Sequence, residues 1–168
     1  EWQKKGYIKK IVKGYYLFSD VEIDEGTLSA IANKIYKPSY ISFETAMSHY
    51  RLIPESIYMV TSASTRRTYL FEKPLARFSY RTIKPSLFFG YSLLTGGIKM
   101  AFMEKAILDY LYINPAVRTA DDFASLRINR EEMLSRVSLE RLIGYVQRFN
   151  HKRLSKTMKH FLGWLENA

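Results

Sequence analysis

The chain has 168 residues, of which 47% are hydrophobic and 25% charged, so it is long enough to bury a core and too apolar to be disordered or low-complexity. It has no cysteine, which excludes disulfides, thiolate zinc sites and a cysteine nucleophile. The formal net charge of +10 points to a polyanion or an acidic partner, and the longest uncharged central stretch, from Pro85 to Ile98, is too short to cross a bilayer.

The basic charge comes in three blocks. Residues 1–20 are net +3, residues 66–84 net +5 and residues 127–160 net +6, with near-neutral stretches between them. The chain opens Glu-Trp-Gln-Lys-Lys, with neither Met nor a signal pattern, which predicts a start inside a longer polypeptide.

Gly6 reads as the end of a helical segment. Tyr7 to Val12 and Tyr15 to Phe18 then form a predicted hairpin around Lys13-Gly14. A basic hairpin after a helix is how a winged helix presents its wing, with Lys9, Lys10 and Lys13 reaching phosphates. A solvated edge hairpin guarded by lysines fits the same pattern.

Leu28, Ile31, Ala32 and Ile35 recur at helical spacing between Asp24 and Tyr36. Ser42 is the expected cap of a short helix through Arg51 that buries Phe43, Met47 and Tyr50 and stops at Pro54. Ser56 to Thr61, Thr68 to Phe71 and Ala76 to Ile83 read as strands, and Ile98 to Phe102 as a further candidate. On two of these strands, Arg66, Arg67, Arg77, Arg81 and Lys84 would make a cationic face with Tyr69 and Tyr80 available for stacking. A sheet face carrying cross-strand charge pairs is the plainer account, although Glu72 is the only acid in that block.

Met103 to Ile113 is helical, and Lys105 and Asp109, four apart, read by default as an ordinary helical ion pair. Thr119 with Asp122, and Asn129 with Glu132, carry the capping-box spacing, the second opening a helix toward Phe149. The last helix, from Lys152, places Leu154, Met158, Phe161 and Leu165 opposite Lys152, Lys156 and Lys159. Those lysines fit a solvated helix face. No phosphate loop, dinucleotide fingerprint, nucleophile elbow or zinc-protease motif occurs. His49, His151 and His160 lie off ligand spacing, and the acids are scattered. The expectation is therefore no catalytic residue, metal or cofactor.

From Pro38 the sequence words become specific. Pro38-Ser39-Tyr40-Ile41-Ser42-Phe43-Glu44-Thr45-Ala46-Met47-Ser48 leads to Leu52-Ile53-Pro54-Glu55 and Thr65-Arg66-Arg67. Phe78 to Pro85 and Phe89-Gly90-Tyr91 follow, and then Glu104-Lys105-Ala106-Ile107-Leu108-Asp109-Tyr110-Leu111-Tyr112. Their order resembles the AbiEi family of antitoxins from type IV toxin–antitoxin (abortive-infection) operons. Gly6 to Tyr16 is similar to the end of that family's winged helix-turn-helix. The resemblance covers residues 6–113.

The resemblance implies a cytoplasmic transcriptional autorepressor, not an enzyme. It would bind inverted repeats in its promoter DNA and counter a nucleotidyltransferase-like toxin. The expected fold is α+β. Residues 1–20 would be the end of a winged helix, its earlier helices absent from the chain, and residues 21–168 a sheet domain packed by helices. The expected DNA-binding residues are Lys4, Lys5, Lys9, Lys10, Lys13, Arg66, Arg67, Arg77 and Arg81. Within the matching words, Glu104, Lys105 and Asp109 are expected to bind their helix to the sheet. The rivals are a nucleic-acid-processing enzyme, which would need converging carboxylates, and a protein-interaction module with an acidic partner.

Overall fold

A computed structural model describes residues 1–54 and 59–167. The expected strand start at Ser56 lies outside them, as do Ile57 and Tyr58. The fold is α+β, with a two-stranded hairpin, a six-stranded mixed sheet and seven α-helices among the described residues.

Residues before the hairpin close one helical turn. Tyr7 N donates to Trp2 O and Gly6 N to Gln3 O, the bond pair that terminates helices, with Gly6 at φ +75. The hairpin follows at once, β1 (Ile8–Val12) against β2 (Tyr15–Phe18). Its register shifts between Lys10 and Val12, and Ile11 and Val12 are both buried. Tyr15 Oη donates to Lys34 O at 2.8 Å, tying the hairpin to α1 (Glu25–Ile35). Asp24 caps α1 by accepting from Thr27 N at 2.7 Å.

The main sheet comprises β3 (Ser39–Ile41), β4 (Val60–Ser64), β5 (Tyr69–Lys73), β6 (Ala76–Thr82), β7 (Tyr91–Leu94) and β8 (Ile98–Ala101). Its order is β5-β6-β4-β3-β8-β7, with β4/β6 and β3/β8 parallel and the other pairs antiparallel. The register sets the two faces, because side chains alternate along each strand. Ile41, Ser62, Phe78, Tyr80, Phe71 and Met100 share the face covered by α1. Tyr40, Thr61, Ala63, Arg81 and Ala101 share the other, covered by α2 (Phe43–His49) and α3 (Met103–Ile113). Then come α4 (Ala120–Ser125), α5 (Arg130–Arg136), α6 (Leu139–Phe149) and α7 (Lys152–Asn167).

Three expectations change here. Ser42 stands at the N-cap position of α2, but its hydroxyl does not cap the helix. It donates to Asp109 Oδ2 at 2.8 Å instead. The entry into α2 is held from β4: Thr61 Oγ1 donates to Ser42 O at 2.7 Å and accepts from Thr45 N, while Thr61 N donates to Thr45 Oγ1. That clamp holds Phe43 at φ +57, a left-handed conformation that costs a non-glycine residue on the order of 1 kcal/mol.

The helix expected from Asn129 to Phe149 is two helices. Asn129 does cap α5, accepting from Glu132 N, but the backbone is extended at Val137, and Ser138 caps α6 by accepting from Arg141 N. Residues 39–41 and 91–94, read without strands, form β3 and β7, the latter closing an antiparallel pair around Gly96-Gly97.

Gly90 has φ +75, and a Cβ there would come within 2.9 Å of Lys105 Cγ. Gly96, at φ +81, has nothing within 4 Å of the same position. Gly90→Ala should therefore cost clearly more stability than Gly96→Ala, by about 1–3 kcal/mol, since the first adds overpacking to backbone strain. Urea unfolding of both variants checks this, and equal losses would contradict the close approach.

Candidate nucleic-acid interface and a buried charged cluster

The candidate DNA-binding residues fall into separate groups. Lys4 and Lys5 are exposed on the opening turn, with Lys5 Nζ 3.2 Å from Glu1 Oε1. Lys10 and Lys13 are exposed on the hairpin and Lys9 is half-buried. Beside them an apolar cleft of about 590 Å³ is lined by Trp2, Tyr7 and Phe18, together with Lys5. Those three aromatics are about 60% exposed, and the sequence reading did not single them out for binding.

The four arginines of the middle block do not form one cationic face. Arg77 Nη2 lies 2.7 Å from Glu72 Oε1, its cross-strand partner. Arg81 lies 4.0 Å from Glu44 Oε1 and 5.9 Å from the centre of the Phe43 ring, on the α2 side of the sheet. Arg66 sits instead over Tyr36, 4.1 Å from the ring centre, and Tyr36 packs on Tyr80 and Phe71 on the α1 face. Arg67 is exposed, and its carbonyl accepts from Tyr36 Oη at 2.8 Å. Tyr80 is not available for stacking: it is fully buried and donates to Ala32 O at 2.6 Å. Burial pushes its phenol above the usual range. Tyr69 is half-exposed, with its ring stacked on Tyr36.

The ordinary ion pair on α3 is the largest departure. Lys105 and Asp109 are both 0% exposed. Lys105 Nζ bonds Asp109 Oδ1 directly and donates to Tyr40 Oη at 2.7 Å. Tyr40 Oη and Ser42 Oγ each donate to Asp109 Oδ2 at 2.8 Å. Three rings surround the ammonium, those of Tyr40, Phe89 and Phe149, at 4.9–5.2 Å. Such contacts compensate a desolvated cation in part. Burial holds Lys105 below its usual range, opposed by Asp109, and pushes Asp109 above its own, opposed by Lys105.

Glu104, 1% exposed, accepts from Ser138 N at 2.7 Å and faces Arg141 Nη1 at 3.3 Å. It thereby ties α3 to the cap of α6. Lys105 and Asp109 thus join their helix to the β3–α2 junction through Tyr40 and Ser42, whereas Glu104, expected to do the same, joins α3 to α6 instead. Neither acid faces solvent.

Among the described residues no three His, Cys, Asp or Glu side chains converge in a way that could hold a metal ion. Among them, no helix is long and apolar enough to cross a membrane. No family model matches the chain, and no curated protein matches it.

Lys105→Met should cost about 3–5 kcal/mol at neutral pH, because it strands a buried carboxylate. With its cation gone, the folded-state carboxyl of Asp109 titrates still further above the ordinary 3.8. A raised carboxyl contributes stability that is full below the unfolded value and lost as pH rises through the folded one. The variant should regain stability as pH falls from 7 toward about 4. Urea unfolding at several pH values checks this, and a pH profile parallel to wild type would refute it.

Proposed function

We propose that this protein is a DNA-binding transcriptional regulator of the AbiEi antitoxin type. It acts in the cytoplasm on promoter repeats and counters a nucleotidyltransferase-like toxin. One observation carries the DNA-binding part of this reading. A glycine-capped helical turn runs straight into a hairpin whose exposed Lys10 and Lys13 stand on a buried Ile11-Val12 anchor. That is how a winged helix presents a wing: the hairpin is held by the core, so its cations sit at fixed positions for backbone phosphates.

The antitoxin part is supported by the resemblance, and the cluster on α3 gives its words a physical meaning. Tyr40, Ser42, Lys105 and Asp109 come from two separate stretches of the matching string, and they are bonded to one another. Residues far apart in sequence that share one buried polar network are constrained together. Expression of the protein beside a nucleotidyltransferase-like gene from the same operon, with growth as the readout, tests this part.

Phosphate contacts release counterions, so the salt dependence of affinity counts them. Replacing Lys9, Lys10 and Lys13 with Ala should flatten the slope of log K against log salt for duplex DNA by about 2–3 units. Arg77→Ala with Arg81→Ala should change it less, since each arginine already faces a carboxylate. Fluorescence anisotropy on a labelled duplex measures both. An unchanged slope in the triple variant would overturn the role of the hairpin.

A further inference from the structure

The third basic block has no part in the hairpin reading, and it is built around a groove. Leu154, Met158, Phe161 and Leu165 bury one side of α7. Turning the helix about a quarter away from that side brings up Arg153, His160 and Trp164, spaced seven and eleven residues from the first. These three side chains, with Lys156 and Thr157, form one wall of a groove of about 610 Å³. Arg118, Thr119 and Ala120, leading into α4, form the other. His160 Nδ1, 3.4 Å from Arg118 O, spans the two walls.

The lining holds two arginines, a lysine and a histidine, and no carboxylate. Beside the groove, Asp122 accepts from Arg118 N, Thr119 N and Thr119 Oγ1 in its own capping box and also feels the Arg118 charge. Arg153 is held in place by donating to Leu111 O at 3.2 Å and Tyr112 O at 2.8 Å. Carbonyls orient it without neutralising it. Trp164 packs on Phe123 and Phe161 and has the Arg130 guanidinium 5.4 Å from its ring centre, which fixes the ring while leaving it half-buried at the groove. Lys156 also borders a second groove on the other flank of α7, with Lys152 and Lys159.

We propose that the α4–α7 groove binds a nucleoside phosphate, either free or as one unit of a nucleic-acid strand. The base packs against Trp164, and the phosphate is held by Lys156, Arg118 and His160. The volume lies within the range of small-ligand sites. A bare anion would not use the apolar indole that the groove offers beside its cations. Stacking on an aromatic beside a cationic track is how proteins hold unpaired nucleotides. The site is separate from the hairpin and does not rest on the duplex reading.

The chain has two tryptophans, so Trp2→Phe leaves Trp164 as the only indole reporter. Trp2 is 62% exposed, and its loss should not disturb the fold. Emission of this variant is followed while AMP, ATP, adenosine and an eight-nucleotide single-stranded DNA are added separately. The expected result is a saturable change with a phosphorylated ligand, weakened at least tenfold by Lys156→Ala with Arg118→Ala, both surface positions. Saturation by AMP or ATP identifies the free nucleotide as sufficient, and saturation by the oligonucleotide alone identifies the strand. The response must survive in a protein lacking Lys9, Lys10 and Lys13, which separates this site from the hairpin. No saturable change with any ligand, an equal response to adenosine, or binding indifferent to the double substitution would each overturn the proposal.

Discussion

The buried pair on α3 is the contact through which the rest of the structure is arranged. Removing an ammonium and a carboxylate from water costs several kcal/mol each, and the cost is tolerable only when every remaining lone pair and proton finds a partner. Here both partners come from the β3–α2 junction. Tyr40 supplies a hydroxyl to each charge and Ser42 a second donor to Asp109. That requirement fixes where α3 sits on the sheet. It also explains why the α2 cap is missing: the hydroxyl that would have capped α2 is already spent on Asp109. Gly90 then has to be glycine-like, because the Lys105 stem occupies the space where a side chain would stand. The charge network therefore sets the backbone at three separate points in the sequence.

The same helix distributes charge over the molecule. Glu104 and Asp109 are both withdrawn from the surface, each toward a basic partner. In the middle block, Glu44 and Glu72 face Arg81 and Arg77. Lys10 and Lys13 on the hairpin and Lys152, Lys156 and Lys159 on α7 are exposed and in none of the described ion pairs, and so are Arg66 and Arg67 in the middle block. Composition alone gave three equivalent basic blocks. In the structure each block holds both paired and unpaired cations: Arg77 and Arg81 face carboxylates while Arg66 and Arg67 do not, and Lys5, Arg136 and Arg141 are paired in the other two.

Much of the framework could be read from local signals. Thr119 and Asn129 cap helices where caps were expected, because the capping spacing is decided within four residues. The amphipathic period of the last helix named its buried residues correctly. The failures share one cause: the sequence shows spacing but not cover. Lys105 and Asp109, four apart, look the same on a solvated helix as on a buried one. Tyr80 alternates as a strand residue should, yet whether its ring faces solvent depends on α1, contributed from residues far upstream. β3 has only three residues, too few to show a period, and the break at Val137 depends on Ser138 meeting Glu104 across space. The Trp164 groove went unread for the same reason. Its walls lie more than thirty residues apart in sequence, and nothing in either segment announces the other.

The hairpin and α7 are also held in different ways, and this bears on what each can recognise. The hairpin is anchored at its turn end, where Ile11 and Val12 are buried and Tyr15 bonds Lys34 O, and Lys13 and Gly14 are exposed beside that anchor. Exposed lysines beside a core-held turn sit at fixed positions, which suits contact with a phosphate backbone more than enclosure of a ligand. The α7 surface is fixed along its whole length by Leu154, Met158, Phe161 and Leu165, and its cations flank a concave groove with an aromatic wall. Concavity encloses a single unit and makes the identity of that unit matter, because a base that does not pack leaves apolar surface in water. On the proposed readings, one surface would follow a polyanion and the other would hold one piece of it. Both are anchored to the core that the Lys105–Asp109 pair organises.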